Sequence, residues 1–164
     1  MEAIAIHEPF ETYLEGYKKL IVKVAGAYCF DPEERKDLIQ EIILHLWRAY
    51  PKYDGTSALS TWTYRIALNV SISYVRMETA RKRREEKYQQ EREVLEWTNP
   101  VIDERLEQLY RIIDRLKSLD KAIIILSLEG CNNTEIADVM GMSPTNVSTR
   151  LHRIREYLKS SVNV

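Results

Sequence analysis

Apolar residues recur at the spacing of an α-helix along almost the whole chain. Near the N-terminus they fall three or four positions apart and share one helical face: Phe10, Tyr13, Leu14, Tyr17, Leu20, Ile21, Val24 and Tyr28. Runs that alternate apolar and polar residues, as half-buried strands do, are scarce. Only 5 glycines and 5 prolines occur in 164 residues, which argues against a turn-rich β protein. The sequence therefore predicts an all-α fold.

Turn and capping residues predict where the first three helices begin and end. The first helix is expected over residues 8–28. Asp31 and Pro32 form a suitable N-cap and first turn for a second helix over residues 32–49, which stops before Pro51. Ser60 or Thr61 can cap a long third helix that reaches residue 84.

Residues 85–103 are polar and charged, and they include Asn99-Pro100. This composition predicts a flexible linker between two small helical domains, residues 8–84 and 104–161. The first part of the linker can prolong the third helix. The alternative is a surface helix within one domain.

The C-terminal segment is predicted to form four helices, and the first covers residues 104–116. Asp120 can cap a helix over residues 121–128, and Asn133 or Thr134 can cap a short helix over residues 135–140. The final helix is expected to begin at Pro144 with Ser143 as its N-cap.

The cysteines and histidines do not form a metal-ligand pattern. Cys29 and Cys131 are far apart and have no Cys or His neighbours at ligand spacing, so we expect two reduced thiols and no metal or cofactor. The first residues lack the basic start and long apolar run of a signal peptide, and the longest purely apolar run, residues 122–126, is too short to cross a membrane. We expect a cytoplasmic protein.

Basic charge is concentrated in two segments although the formal net charge is −1. Residues 76–92 hold seven basic and four acidic side chains, and residues 144–164 hold four basic and one acidic. Residues 1–60, by contrast, hold ten acidic and seven basic side chains. Basic charge that is concentrated in this way indicates an anionic partner, although the total charge does not.

The last two predicted helices have the pattern of a DNA-binding helix-turn-helix. Gly141 lies in the short turn between them. In the final helix, Val147, Leu151, Ile154 and Leu158 share the inward face. The other sides carry short polar, amide and basic residues that suit base edges and phosphates: Thr145, Asn146, Ser148, Thr149, Arg150, His152 and Arg153. The alternative is the solvated face of a bundle helix.

The second predicted helix carries an unusual outward face. Its apolar stripe is wide, but the opposite side presents Leu44 among polar and acidic residues, Asp37, Gln40 and Glu41. One exposed leucine is normal on a surface. A leucine ringed by acids also suits contact with a basic protein partner.

A polar line runs through the mostly apolar third helix. Arg65, Asn69, Ser73 and Arg76 follow one another at spacings of four, four and three, and Trp62 and Tyr64 lie near the start. Cations with flat aromatic faces can bind single-stranded nucleic acid. An interior helix with one solvated edge is the alternative.

Two segments resemble bacterial sigma factors of the extracytoplasmic-function group. DLIQEIILHLWRAYPKYDGTSALSTWTYRIALNVSISYVR is similar to their region 2, and LKSLDKAIIILSLEGCNNTEIADVMGMSPTNVSTRLHRIREYLK is similar to their region 4. The resemblance spans residues 10–159, and the two matches occur in the family's order.

The resemblance implies that the chain binds core RNA polymerase and directs it to promoters. Docking on the clamp would use Asp37, Gln40, Glu41 and Leu44. Capture and melting of the −10 element would use the loop and the third helix: Tyr53, Asp54, Thr56, Ser57, Trp62, Arg65, Asn69 and Arg76.

Region 4 is implied to read the −35 duplex with the final helix while its domain packs on the polymerase flap. Relatives often carry Lys or Arg where this chain has Ser148, so no base preference carries over from them. The group commonly has an anti-sigma partner that occludes both domains, and we expect one here.

The main alternative is a conventional helix-turn-helix repressor or activator with a helical sensor domain. Such a regulator needs a dimer for specificity, and no heptad seam or ligand motif supports it. An enzyme is not expected, because the sequence has no nucleophile elbow, P-loop, zinc spacing or dinucleotide loop and hence no candidate catalytic residue.

Overall fold

The computed structural model describes residues 8–85 and 104–162, and all of its regular structure is helical within those ranges. The α-helices are α1 (Phe10–Tyr28), α2 (Pro32–Ala49), α3 (Leu59–Glu85), α4 (Glu104–Asp114), α5 (Ser118–Leu128), α6 (Asn133–Met140) and α7 (Pro144–Val162). A 3-10 turn, Tyr50–Lys52, follows α2. The all-α prediction is confirmed. The predicted linker falls almost entirely outside the described residues.

The first three helices pack on one another as a bundle. Each buries its apolar stripe against the other two, and the fully enclosed side chains include Ile21, Leu38, Ile42, Leu46 and Leu68. Thr63 is also buried, and its hydroxyl donates to the Leu59 carbonyl at 2.7 Å. The Tyr13 hydroxyl oxygen lies 2.6 Å from the Thr63 hydroxyl oxygen. Because the Thr63 hydroxyl donates its own hydrogen to Leu59, Tyr13 is the donor in this bond, which ties α1 to α3.

The C-terminal helices form a second bundle around α5. This helix is apolar on nearly all sides, and its residues 121–126 are all buried. It packs against α6 and α7, whose buried residues include Ile136, Val147, Leu151 and Ile154. A helix of 8 residues such as α6 is not stable alone in water, so this packing holds it in place.

Some predicted helix starts are confirmed and others are wrong. Asp31 caps α2 as expected, because its carboxylate accepts the Glu33 N–H at 3.0 Å. The prediction of Ser60 or Thr61 as the cap of α3 is wrong. That helix begins at Leu59, and the Trp62 N–H already donates to the Ala58 carbonyl.

The caps expected for α5 and α6 in the second bundle are wrong as well. The helix α5 begins at Ser118, so Asp120 lies in its first turn and is free to pair with Arg150 at 2.9 Å. Asn132 caps α6, in a reciprocal capping box with Glu135. Neighbouring Asn and Thr side chains can all cap, so the sequence alone does not choose among them.

The two bundles contact each other. The helix α3 lies against α5 and α6, and α1 lies against α4. Their buried apolar residues join in one cluster. At the exposed edge of this contact between the bundles, Lys23 of α1 pairs with Glu129, the residue after α5, at 3.2 Å. No sequence pattern predicted this contact.

We expect Leu46→Ala to lower the free energy of unfolding by about 2–5 kcal/mol, because it leaves a cavity at a fully buried position. The matched control is Leu44→Ala, two residues away on the same helix, at a side chain that is 37% exposed. It should cost less than about 0.5 kcal/mol. Urea unfolding followed by circular dichroism measures both, and equal losses would contradict the assigned faces of α2.

We expect stability to fall as the pH rises above about 10, the ordinary tyrosine value. Burial raises the pKa of Tyr13 to about 12. Between these values the unfolded chain loses a proton that the folded chain keeps, which favours unfolding.

Tyr13→Phe should therefore flatten the fall in unfolding free energy between pH 10 and 12 by up to about 1.4 kcal/mol per pH unit. Tyr157→Phe, at an exposed tyrosine, is the control and should keep the wild-type slope. Denaturant titrations at several pH values measure the slopes. An unchanged slope in Tyr13→Phe would contradict the assignment.

Candidate DNA and protein interfaces

The helix α7 presents a polar face to solvent because its apolar stripe is held on α5 and α6. Ser143 caps it as predicted, with its hydroxyl accepting the Asn146 N–H at 3.1 Å. Residues of the predicted reading face are exposed: Thr145, Asn146, Ser148, Thr149, His152 and Arg153. The structure thus brings these side chains together on one accessible surface.

The turn before α7 needs a glycine. Gly141 has a φ of 67°, in the left-handed region that residues with a Cβ seldom adopt. The N–H groups of Gly141 and Met142 both donate to the Ala137 carbonyl and so end α6. This turn sets the angle between α6 and α7, as in a helix-turn-helix.

Arg150 differs from the other predicted reading residues. Its guanidinium pairs with Asp120 of α5 at 2.9 Å and also donates to the Asn146 side chain at 3.3 Å. It is half-buried and braces α7 against the start of α5. Arg153, one turn further along the helix, is exposed and lines an open groove with Lys117.

The loop between α2 and α3 is held by hydrogen bonds of its own. The Asp54 carboxylate accepts the Thr56 hydroxyl at 2.7 Å and the Thr56 N–H at 3.0 Å, and these bonds lower the pKa of Asp54. Gly55 between them has a φ of 76°. The Tyr53 hydroxyl donates to the Ser57 carbonyl. The predicted −10 loop residues therefore form one hydrogen-bonded turn, in which Asp54 and Thr56 are exposed and Tyr53 and Ser57 are half-buried.

An aromatic cluster lies beneath this loop. Trp62 is half-buried, with its ring 5.2 Å from Tyr53 and 6.2 Å from Tyr13. Tyr13 and Tyr50 stack at 4.7 Å. Trp62 thus supports the loop from below, and a role in contacting bases stays a prediction.

The polar line on α3 divides between two neighbours. Arg65 donates to the Asp138 carbonyl of α6 at 2.6 Å, and Arg76 lines the groove that α7 also borders. Asn69 and Ser73 border a different groove, between α2 and α3, opposite Glu41. The predicted −10 strand residues are therefore not on one continuous free surface in this structure.

The outward face of α2 matches the predicted surface. Asp37, Gln40, Glu41 and Leu44 are all exposed. Trp47 lies one turn beyond Leu44 and is 59% exposed. The sequence prediction missed this residue, although a tryptophan three positions after the exposed leucine was a visible signal. Large exposed aromatic residues are typical of protein interfaces.

The groove between α2 and α3 has a volume of about 570 Å³ and is mainly apolar. Its lining includes the apolar side chains of Ile66, Val70 and Met77, the Tyr74 ring, and two acidic residues, Glu41 and Glu78. Burial and the surrounding acids raise the pKa of Tyr74 to about 12. The groove extends the acidic, partly apolar surface of α2.

The described residues contain no group of three or more metal-ligating side chains. Cys29 and Cys131 are free thiols, and burial raises the pKa of Cys29 to about 11. No helix within the described ranges is long and apolar enough to span a membrane.

Comparison with known proteins matches both halves of the chain. Residues 13–81 match the family model of sigma-70 region 2, and residues 106–158 match that of sigma-70 region 4. The first match covers the helices that form the N-terminal bundle, and the second covers the helix-turn-helix.

Curated relatives carry the same assignment over most of their length. The chain is 31% identical over 141 residues to the ECF RNA polymerase sigma-E factor of Escherichia coli K12, covering 77% of this chain and 72% of that protein. It is 26% identical over 140 residues to the sigma-E factor of Haemophilus influenzae, covering 77% and 73%.

Two solved structures share the fold at 18% identity. The sigma factor RpoE of Bartonella quintana, in complex with the anti-sigma factor NepR, aligns with a TM-score of 0.76 over 94% of this chain and 97% of that one. CnrH, in complex with the cytosolic domain of CnrY, aligns with a TM-score of 0.68 over 94% and 87%. With both regions matched in order, the chain belongs to the extracytoplasmic-function group of the sigma-70 family, the RNA polymerase subunits that direct promoter-specific transcription initiation.

Proposed function

We propose that the acidic face of α2 docks this sigma factor on the clamp of core RNA polymerase. The observation that carries this proposal is the exposed pair Leu44 and Trp47 beside Glu41 and Asp37. An apolar centre with a charged rim is the usual layout of a protein interface. A domain that only read DNA would not need such a face.

The −35 duplex is read by α7. Its N-terminal half enters the major groove, where Asn146 can pair with an adenine and Arg153 can reach a guanine or a phosphate. Thr145, Ser148, Thr149 and His152 are the other proposed contacts, and Arg150 contributes by positioning α7 through Asp120.

The −10 element is captured from the non-template strand by the loop between α2 and α3. Flipping a base out of the stack costs a few kcal/mol, and a preformed pocket with backbone contacts offsets that cost. The hydrogen-bonded turn at Asp54 and Thr56 supports this role because it is ordered before the strand arrives. Tyr53, Ser57 and Trp62 are the other proposed contacts of the captured base. Arg65, Asn69 and Arg76 are the proposed contacts of the strand beyond it, and Arg65 reaches the strand only when its bond to the Asp138 carbonyl is broken.

The chain itself performs no catalysis, in keeping with sigma factors as DNA-recognition subunits. Melting is driven by binding energy, since no ATP-binding motif occurs in the sequence. The protein acts in the cytoplasm, where the polymerase and the promoter are. Its C-terminal bundle packs on the flap of the polymerase. The dimeric regulator has no observation in its favour.

An anti-sigma factor is the proposed inhibitor. Both solved neighbours described above are complexes with such proteins, named NepR and CnrY. The acidic face of α2 and the apolar α2–α3 groove form a surface of the size and chemistry that an amphipathic helix with basic flanks would cover.

The whole proposal is tested by mixing the purified chain with core polymerase and a fork-junction promoter. We expect binding and promoter-dependent initiation. If both are absent, the assignment of function to this chain is wrong.

Glu41→Lys combined with Leu44→Asp should abolish polymerase binding, because it reverses one charge and places another at the apolar centre of the face. Fluorescence anisotropy with labelled polymerase measures the affinity, and the helical signal in circular dichroism should be unchanged. Glu15→Lys with Val22→Asp makes the same changes at exposed positions of α1 and should bind like the wild type. Equal loss in both variants would contradict a specific role for α2.

Arg153→Ala should weaken binding of the holoenzyme to a −35 duplex and reduce the slope of log K against log salt by about 1, the effect of losing one phosphate contact. Arg155→Ala is the control, because Arg155 lies towards α5 and its guanidinium is 3.5 Å from the Ser127 hydroxyl. It should keep the wild-type slope. An unchanged slope in Arg153→Ala would show that this side chain does not reach the backbone of the DNA.

A further inference from the structure

Asn146 lies at the end of α7 that enters the major groove in the proposed function. It is the third residue of the helix, and its backbone N–H is fixed by the bond to the Ser143 cap at 3.1 Å. Side chains in the first turn of a recognition helix are the ones that reach base edges. Asn146 is exposed, so its side-chain amide is placed to contact a base.

The two ends of the Asn146 amide have different surroundings. Its oxygen, Oδ1, accepts the Nε–H of Arg150 at 3.3 Å. An arginine side chain has only donors, so this bond assigns the oxygen of the amide, and not its NH2 group, to the side of Arg150. Among the described residues, none accepts a hydrogen bond from the NH2 group, Nδ2. The amide therefore offers its donor to a partner from outside the chain.

Arg150 is itself held by α5. Its Nη1 lies 2.9 Å from Oδ1 of Asp120, and the two side chains are only 35% and 26% exposed. Asp120 lies in the first turn of α5, where the helix dipole favours a carboxylate. A hydrogen bond between charged partners that are half-buried is stronger than a neutral one at the surface. Asp120, Arg150 and Asn146 thus form a chain of bonds that begins on α5 and ends at the proposed DNA surface.

This chain of bonds limits the base edges that the amide can contact. In the major groove, guanine presents N7 and O6 as acceptors, adenine presents N7 and thymine presents O4, whereas cytosine presents only the N4 donor. The Nδ2 hydrogens can bond any of the first three bases. A cytosine would need the Asn146 oxygen, which already accepts from Arg150. Its positively polarised amino group would also approach the charge of the guanidinium.

We propose that Asp120, acting through Arg150, holds Asn146 as a hydrogen-bond donor that rejects cytosine at one position of the −35 element. This inference rests on the proposed reading of that element by α7 and adds a base preference to it. Adenine stays a partner through its N7, and guanine and thymine are accepted as well. Asp120 and Arg150 are positioning residues, and Asn146 is the residue that touches the base. One mismatched base pair weakens specific binding roughly tenfold, which is the discrimination expected here.

The test uses the holoenzyme, formed from the full chain and core polymerase, and a pool of fork-junction promoters randomised across the −35 element. Selection and sequencing give the relative affinity for each base at each position. With the wild-type chain, cytosine should be depleted roughly tenfold on one strand at one position. Asn146→Asp replaces the donor by an acceptor, so cytosine should become the preferred base at that same position. A carboxylate in the first turn of a helix is favourable, so circular dichroism should show an unchanged helical signal.

Asp120→Ala tests the positioning step in the same pool. It leaves Asn146 in place but releases Arg150, so the amide can turn and the discrimination against cytosine should largely disappear. Asp120→Glu keeps a carboxylate at this place and should restore the wild-type preference. A change in packing alone would weaken the binding of all four bases alike and would leave the preference between them as it is.

Asn133→Asp and Asp138→Ala are the matched controls, because they make the same changes at exposed positions of α6. Both should keep the wild-type base preferences. The inference is overturned if a folded Asn146→Asp variant selects the same bases as the wild type, or if the wild type disfavours cytosine at no position. Selection at other positions of the element would then leave the reading role of α7 intact. A wild-type pool without any base preference would contradict that role as well.

Discussion

Short helices in this protein depend on burial of their apolar sides. The exposed faces that we propose for contact with DNA and polymerase depend on the same burial. The helix α6, with 8 residues, and α5, with 11, are too short to persist alone in water. Ile136, Leu151 and Ile154 are removed almost completely from solvent where these helices meet α7. Because that side of α7 is fixed, its opposite side is fixed too, and the polar residues there point outward without further support. The same logic applies to α2, where Leu38, Ile42 and Leu46 fix the direction in which Leu44 and Trp47 face.

Electrostatics divides the work between different surfaces of the chain. Residues 1–60 hold ten acidic and seven basic side chains, and the carboxylates of α2 border an apolar surface that suits a protein partner. The basic side chains are concentrated at the end of α3 and on α7, where the anionic DNA backbone would approach. A near-zero net charge therefore conceals two surfaces of opposite character. Such a division allows a single small chain to bind a protein and a nucleic acid at once without competition between them.

Periodicity predicted the helices and the exposed faces well, because apolar spacing reports burial within a single helix. The limits of α2, the Ser143 cap and the exposed set around Arg153 all follow from local sequence. The choice of a cap among neighbouring residues did not follow from local sequence, since Asn132 caps α6 in place of Asn133 or Thr134. Contacts between distant residues were also out of reach. No residue near Arg150 in the sequence indicates its ion pair with Asp120, and none near Lys121 indicates its hydrogen bond to the last turn of α1. Both bonds depend on how the helices pack. The roles of individual DNA and polymerase contacts remain predictions.

The exposure of Trp47 has a practical consequence. An indole in water emits at long wavelength, and transfer to a drier surface moves the emission towards the blue. Trp62 already lies half-buried among tyrosine rings, so its spectrum should change little when a partner covers α2. Trp97, outside the described residues, can be replaced by phenylalanine to remove its background. The natural chain thus carries an intrinsic fluorescent reporter at the centre of the surface that we assign to the polymerase, and titration can follow it without an attached dye.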